Sequence, residues 1–239
     1  MGVLDMMRAA EEGGATPSPL LTRRSIRRYQ DKPVPEELIQ QLLVEARWAP
    51  SASNTQSTYV YVLSGKPFKK FKNDLRKFSE DEVPPKSDLD MRPQWTPKLE
   101  ARTQELIRIR STWCTEEEKR LGLPVTPPPA NPMVAGAEIF KAPVMLVLAF
   151  DKAISQYSGC FDAGILAMAI TLAAQARGLG TCILGAAVRY SELMRKHLPD
   201  LEDKNVVAGL ALGYPDLQAP INRFPRSRVL LRDFVTFVK

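Results

Sequence analysis

One histidine, His197, and three cysteines, Cys114, Cys160 and Cys182, are all the imidazole and thiol ligands that these 239 residues hold. No two cysteines make a CxxC pair, so no zinc site is expected. An odd, unspaced set also argues against a disulfide framework and suits a reducing compartment. No Gly-Lys-Ser/Thr loop and no GxGxxG occur, which removes two common routes to nucleotide phosphate. The longest apolar run, "AGILAMAITLAA" at 163–174, falls short of the roughly 20 residues a membrane helix needs. The opening "MGVLDMMRAAEEGGATPSP" carries early acidic residues and no apolar core, so no secretory signal is expected. Met6 stands where a myristoylation signal wants Ser or Thr. The reading is cytoplasmic, with no membrane partner.

Charge of one sign is also not in large excess. Lys plus Arg is 33 and Asp plus Glu is 27, a formal charge of +6. That balance does not argue for nucleic acid, and none is expected as a partner; anionic small ligands explain it equally well. Apolar residues at 44% and charged residues at 25% describe a globular chain large enough to bury its own core.

Residues 1–20 read as a flexible arm, and 21–239 as one domain. "PEELIQQLLVEARW" (35–48) predicts a helix. Pro35 suits its first turn, Leu38, Leu42 and Ala46 its buried face, and Pro50 stops it. "TYVYVL" (58–63) predicts a strand, followed by a basic helix to about Phe78. "APVMLVLAF" (142–150) has the continuous apolar run of a strand covered on both faces. "DAGILAMAITLAAQARGLG" predicts a long helix buried almost all round. Asp162 is its N-terminal charge, and Gly178 or Gly180 its cap. "TCILG" (181–185), "VVAGLALG" (206–213) and "VLLRDFVTFV" (229–238) are strand candidates. "SELMRKHLP" is a short helix begun by Ser191, with His197 a solvent-facing partner of its dipole. Residues 79–132 hold nine prolines and one charged helical stretch, "PKLEARTQELIRIRSTW", and fit an inserted lid or partner-binding arm. Trp95 and Trp113 in it either cover a ligand or pack the arm.

Two basic knots stand far apart. "RRSIRR" (23–28) sets four arginines around Ser25, and "RFPRSR" (223–228) supplies more near the other end. Guanidinium forks with a serine hydroxyl make a phosphate cradle, with Ile26 anchoring the segment in the core. The same residues also describe a solvated turn pairing with Glu36 and Glu37. "APSASNTQ" (49–56) offers hydrogen bonds suited to the edge of a heteroaromatic ring, or simply makes a turn. "GLGTCILGA" (178–186) lets a flat ligand approach the backbone, or is a helix cap followed by a strand. Cys182 is expected to be buried.

Taken in order, "RRSIRRY…PVP", "WAPSASNTQ", "DAGILAMAITLAAQARGLGTCILG", "LALGYP" and "PRSR" resemble the FMN-dependent nitroreductase family over about 20–78 and 133–229. The resemblance implies an α+β fold, a mixed, mostly antiparallel sheet wrapped by helices, in an intertwined homodimer with FMN in each interface cleft. By it, Arg23, Arg24, Ser25 and Arg27 match the first flavin-binding segment. Arg23 and Ser25 take the phosphate and ribityl end, and Arg27 the pyrimidine edge, where it tunes the flavin. Pro50, Ser51, Ala52 and Asn54 match a loop given by the other chain. Leu184 and Gly185 match the stretch passing the flavin N5 edge, and Arg226 and Arg228 the pair closing on the phosphate.

The implied activity moves hydride from NADPH or NADH through flavin N5 to an electron-poor small aromatic acceptor, a nitroaromatic or quinone, in ping-pong order. Gln56-Ser57-Thr58 departs from the family's usual Gln-Pro-Trp. Segment 79–132 is this chain's own, where relatives carry insertions that shape the mouth of the site. Two alternatives stay open at this stage. One is a same-fold dehydrogenase or reductive dehalogenase, and the other a non-enzymatic binder of anions.

Overall fold

The computed structural model describes residues 18–90 and 94–238. Of the arm expected over 1–20, residues 1–17 lie outside the described residues. The chain is followed from a single helical turn, α1 (Pro19–Thr22).

A four-stranded antiparallel sheet organises the described residues. Its strands are β1 (Thr58–Ser64), β2 (Val144–Asp151), β3 (Gly180–Leu184) and β4 (Lys204–Gly213), in the order β1-β2-β4-β3. Central β2 alternates its side chains between two apolar layers. Met145, Val147 and Ala149 face one layer, built with Phe68, Phe71 and Leu75 of α3 (Gly65–Glu80) and Leu193 and Met194 of α7 (Ser191–His197). Val144, Leu146 and Leu148 face the other, built with Ile39, Leu42 and Ala46 of α2 (Glu36–Ala46) and Ala167, Ile170 and Ala174 of α6 (Gln156–Gln175). Period-two alternation under helices on both faces explains why β2 reads as an unbroken apolar run.

Several expectations change. Helix α6 begins at Gln156, capped by the Ser155 hydroxyl accepting from the Ser158 amide, so Asp162 lies in its second turn and not at its start. Ser155 is the better cap because its side-chain oxygen reaches an orphan N–H. At 20 residues α6 is also long and apolar enough to cross a bilayer, although here it packs on α2 and the sheet. Helix α7, by contrast, begins at Ser191 as expected, with Tyr190 before it.

On α2 it is Ile39, with Leu42 and Ala46, that is buried, while Leu38 is half-covered. His197 does not face solvent: its side chain is 6% exposed, Nε2 lies 2.9 Å from Asp74 Oδ2, and its ring meets Phe71 edge-on. Residues 229–238 form no strand, only a short turn at Leu231–Asp233. A strand needs an edge to pair with, and this segment finds none among the described residues; Phe234 and Phe237 are each 76% exposed.

The inserted segment contains α4 (Pro97–Arg120), capped by Thr96, and the one-turn α5 (Pro132–Gly136) starts at its last residue. The buried residues of α4 are Glu117 and Glu118 rather than an apolar stripe. Glu117 pairs with Arg120 and reaches Arg223 at 3.3 Å, while Glu118 accepts from the amide and hydroxyl of Thr126. Charge pairing therefore ties the C-terminal end of α4 to Arg223, the first residue of the second basic knot.

Candidate active site

The first knot is held in place by edge strand β3. Ser25 bridges Thr181, and the Ile26 amide donates to the Thr181 carbonyl at 2.9 Å. Ile26 is buried directly over Gly180, where an added Cβ would sit 2.5 Å from Ile26 Cγ1. Glycine is required there for this side-chain approach; the C-cap of α6 is Ala176 and not Gly178 or Gly180 as expected, while Gly178, at φ +71°, makes the left-handed turn two residues later. With Ile26 turned inward, its neighbours Ser25 and Arg27 turn outward.

The second knot is stitched to the first by Asn222, which is 2% exposed. Its Oδ1 accepts the Arg27 amide at 2.7 Å, and its Nδ2 donates to the carbonyls of Arg28 and Asp216 at 2.7 and 2.8 Å. Arg226 donates to the carbonyls of Arg23 and Leu21, and Arg24 to the carbonyl of Phe224. The Arg24 and Arg27 guanidiniums lie over the Phe224 ring, 5.7 and 5.9 Å from its centroid.

Arg23, Arg24, Ser25, Arg27, Arg226 and Arg228 thus line one cavity of about 760 Å³. The first turns of α4 add Lys98 and Arg102 to the same lining. The one carboxylate on the wall among the described residues, Glu105, is already engaged at both oxygens by Arg108. Crowded cations are costly. Burial, then Arg226 and Arg27, lower the Arg24 pKa to about 10. Burial, then Arg228, lowers that of Arg23; burial, then Arg228 and Arg23, lowers that of Arg226. Burial, then Arg27, lowers that of Arg110 on α4. The Arg23 Nε is buried without a hydrogen-bond partner. Such a wall fits a dianion, and a guanidinium cluster with a hydroxyl is the donor set a phosphate ester takes.

Pro50 and Ser51 line a different cavity, of about 310 Å³, together with Arg47, Gln56 and Asp162. Asp162 is buried and accepts the Ala52 amide with both carboxylate oxygens, at 3.1 and 3.2 Å. It is therefore a loop-holding group and not the helix-start charge expected of it. Ser53, Asn54 and Gln56 all have φ near +50°. Three non-glycine residues in the left-handed region make this loop a strained one. Leu184 and Gly185 line neither cavity; Leu184 packs against the core layer. Trp95 is exposed, and neither it nor Trp113 lines the large cavity. Cys182 is buried, as expected, and its thiol pKa is raised by that burial, with Arg27 opposing.

Asn222, Phe224, Lys98 and Arg102 were not singled out from the sequence. "APIN" carries no signal for a side chain whose three partners are backbone groups, and Lys98 and Arg102 are two charges within a long charged stretch.

The nitroreductase family model matches residues 20–214, most of the chain, with the first knot inside the match and the second beyond it. The chain belongs to the nitroreductase family. Among curated nitroreductases it resembles a 4-nitrobenzoate reductase of Pseudomonas putida, 27% identical over 91% of this chain and 92% of that protein. It also resembles a nitrobenzene nitroreductase of Ectopseudomonas oleovorans, 28% identical over 90% and 93%. Among solved nitroreductase structures, an FMN and NADPH-dependent nitroreductase, NfnB, from Sphigopyxis sp. strain HMH superposes with a TM-score of 0.78. That pair is 24% identical over 92% of this chain and 97% of the other. The FMN-dependent nitroreductase NfnB of Mycobacterium smegmatis, in complex with NADPH, gives the same TM-score at 23% identity, over 98% and 100%. The sheet wrapped by helices expected from the sequence is therefore the observed fold.

Proposed function

We propose that the protein is an FMN-dependent nitroreductase. It oxidises NADPH or NADH and reduces an electron-poor aromatic, a nitroaromatic or quinone, with donor and acceptor taking turns at one site. The observation that carries this reading is the cavity lined by five arginines drawn from two distant stretches of the chain. When bound, FMN supplies the hydride chemistry; the protein binds, orients and tunes it. Arg23, Arg24, Ser25, Arg226 and Arg228 hold the phosphate and ribityl end. Arg27 offers fixed positive charge to the negative charge that reduction brings into a low-dielectric cleft. Leu184 and Gly185, which continue from β3, border the ring. Segment 79–132 shapes the mouth of the site within a single domain.

The loop of Pro50, Ser51, Ala52 and Asn54 acts on the flavin of a second chain in a homodimer. Two observations support this. The loop and the arginine cradle line separate cavities of one chain. Large aromatics also stand in solvent: Trp48 and Tyr157 are each 81% exposed, and Tyr157 stacks on exposed Phe161. Exposed apolar surface of this kind marks a contact face. Light scattering should return the mass of two chains; one chain at micromolar concentration would count against the shared site.

Activity is tested by following NADPH and NADH oxidation with nitrobenzene, 4-nitrobenzoate and a benzoquinone on flavin-loaded protein. Turnover with at least one acceptor is expected. A flavin-loaded sample inert to all three would end the nitroreductase assignment.

A further inference from the structure

The cradle holds more positive charge than one flavin tail needs. A phosphomonoester brings about −1.5 to −2 at neutral pH. The cavity presents five arginines from the two knots, and Lys98 and Arg102 of α4 share its lining. Its only acidic lining residue among the described residues, Glu105, is already paired with Arg108. Lys98 and Arg102 are four residues apart, so they project from one face of the helix, near its positive N-terminal end. Helix α4 is tied at its far end through Glu117 to Arg223, the first residue of the second knot. Lys98 and Arg102 on its first turns share one cavity with the cradle. A cavity of about 760 Å³ exceeds what a phosphate tail fills, and is of the size that takes a whole small ligand.

We infer that Lys98 and Arg102 form a second anion subsite, beside that of the flavin phosphate, which recognises an anionic group on a substrate of the enzyme. The inference rests on the flavin reading above. Two substrates carry the required chemistry: a donor with a 2′-phosphate, or an aromatic acceptor with a carboxylate. In either case the pair acts on substrate choice, raising affinity for the charged member of each donor or acceptor pair over its neutral or less charged counterpart.

The test compares flavin-loaded wild type with Lys98→Gln/Arg102→Gln. Calorimetry measures adenosine 2′,5′-bisphosphate against adenosine 5′-monophosphate, and 4-nitrobenzoate against nitrobenzene. Steady-state KM ratios for NADPH over NADH, and for the same two acceptors, are taken alongside. Loss of a charge-assisted contact should cut the wild-type preference for the charged member of one pair by about tenfold. The pair affected assigns the subsite to donor or acceptor. The charge-keeping Lys98→Arg/Arg102→Lys variant should retain most of that preference, which separates charge from folding. Unchanged preference in both pairs would overturn the inference. So would loss of flavin from the double Gln variant, since the two residues would then belong to the flavin cradle. A wild type that holds no flavin is a different result, and counts against the proposed function itself.

Discussion

Arg27 is the arginine whose backbone and side chain are both tied into the site. Its amide is fixed by Asn222, and its guanidinium lies by Phe224 and the Ser25 carbonyl. Replacing it with alanine should weaken FMN binding by about tenfold to a hundredfold, the worth of a charge-assisted contact. It should also slow reduction by NADPH in stopped flow; an unaltered rate would remove its tuning role. Asn222→Ala leaves the Arg27 amide and the carbonyls of Arg28 and Asp216 without their partner. About 3 kcal/mol of stability should be lost in urea unfolding, with FMN affinity falling as well. Stability loss with unchanged FMN affinity would reduce Asn222 to a packing residue. At this scale the arginines were legible because two dense knots of one charge are rare and chemically specific. Asn222 was not, since an amide that bonds backbone groups leaves no mark in composition. Asp162 was visible as a charge in an apolar helix, but its partner lies 110 residues away in the loop it holds.

Helices and strands were read where hydrophobic period and length agreed. β2 and β4 were found because a buried strand must be apolar throughout, and α3 as the basic stretch that follows β1. The segment 229–238 misled because β-branched and aromatic residues in alternation describe a strand only when an edge is there to receive it. α4 was visible as a helix, but its attachment is ionic and so left no apolar stripe to read.

His197 was misread for a related reason. A histidine near a helix end looks solvent-facing until α3 brings Asp74 and Phe71 to it. That junction carries a pH prediction. Hydrogen bonds from Lys196, then His197, hold the Asp74 carboxyl below its ordinary value. A depressed carboxylate contributes stability above its unfolded pKa of about 3.9 and loses it as pH falls through the folded value. Asp74→Asn should therefore cost about 1 kcal/mol near pH 7, and the difference from wild type should shrink below pH 4. A difference constant from pH 7 to pH 3 would contradict the pairing.

For the whole molecule, the central fact is that both ends of the described chain deliver like charge to one place. A fold does not gather cations for its own stability: Arg23, Arg24 and Arg226 are each made less basic by burial and then by neighbouring arginines of the two knots. A ligand that binds only the folded state and supplies the missing negative charge stabilises it by about 2.7 kcal/mol at a hundredfold excess over Kd. For a chain of this size that corresponds to a rise in Tm of about 5–10 °C on adding FMN to stripped protein. The family was readable from five motifs in order, whereas the donor, the acceptor and the second anion subsite depend on how the inserted helix lies across the cradle.

The most direct measurement titrates stripped protein with FMN and, separately, with riboflavin, which has the same ring and ribityl chain but no phosphate. If the two knots close on the phosphate, FMN should bind at least about a hundredfold more tightly, from two or more charge-assisted contacts. Equal affinity for the two flavins, or none for either, would contradict the account.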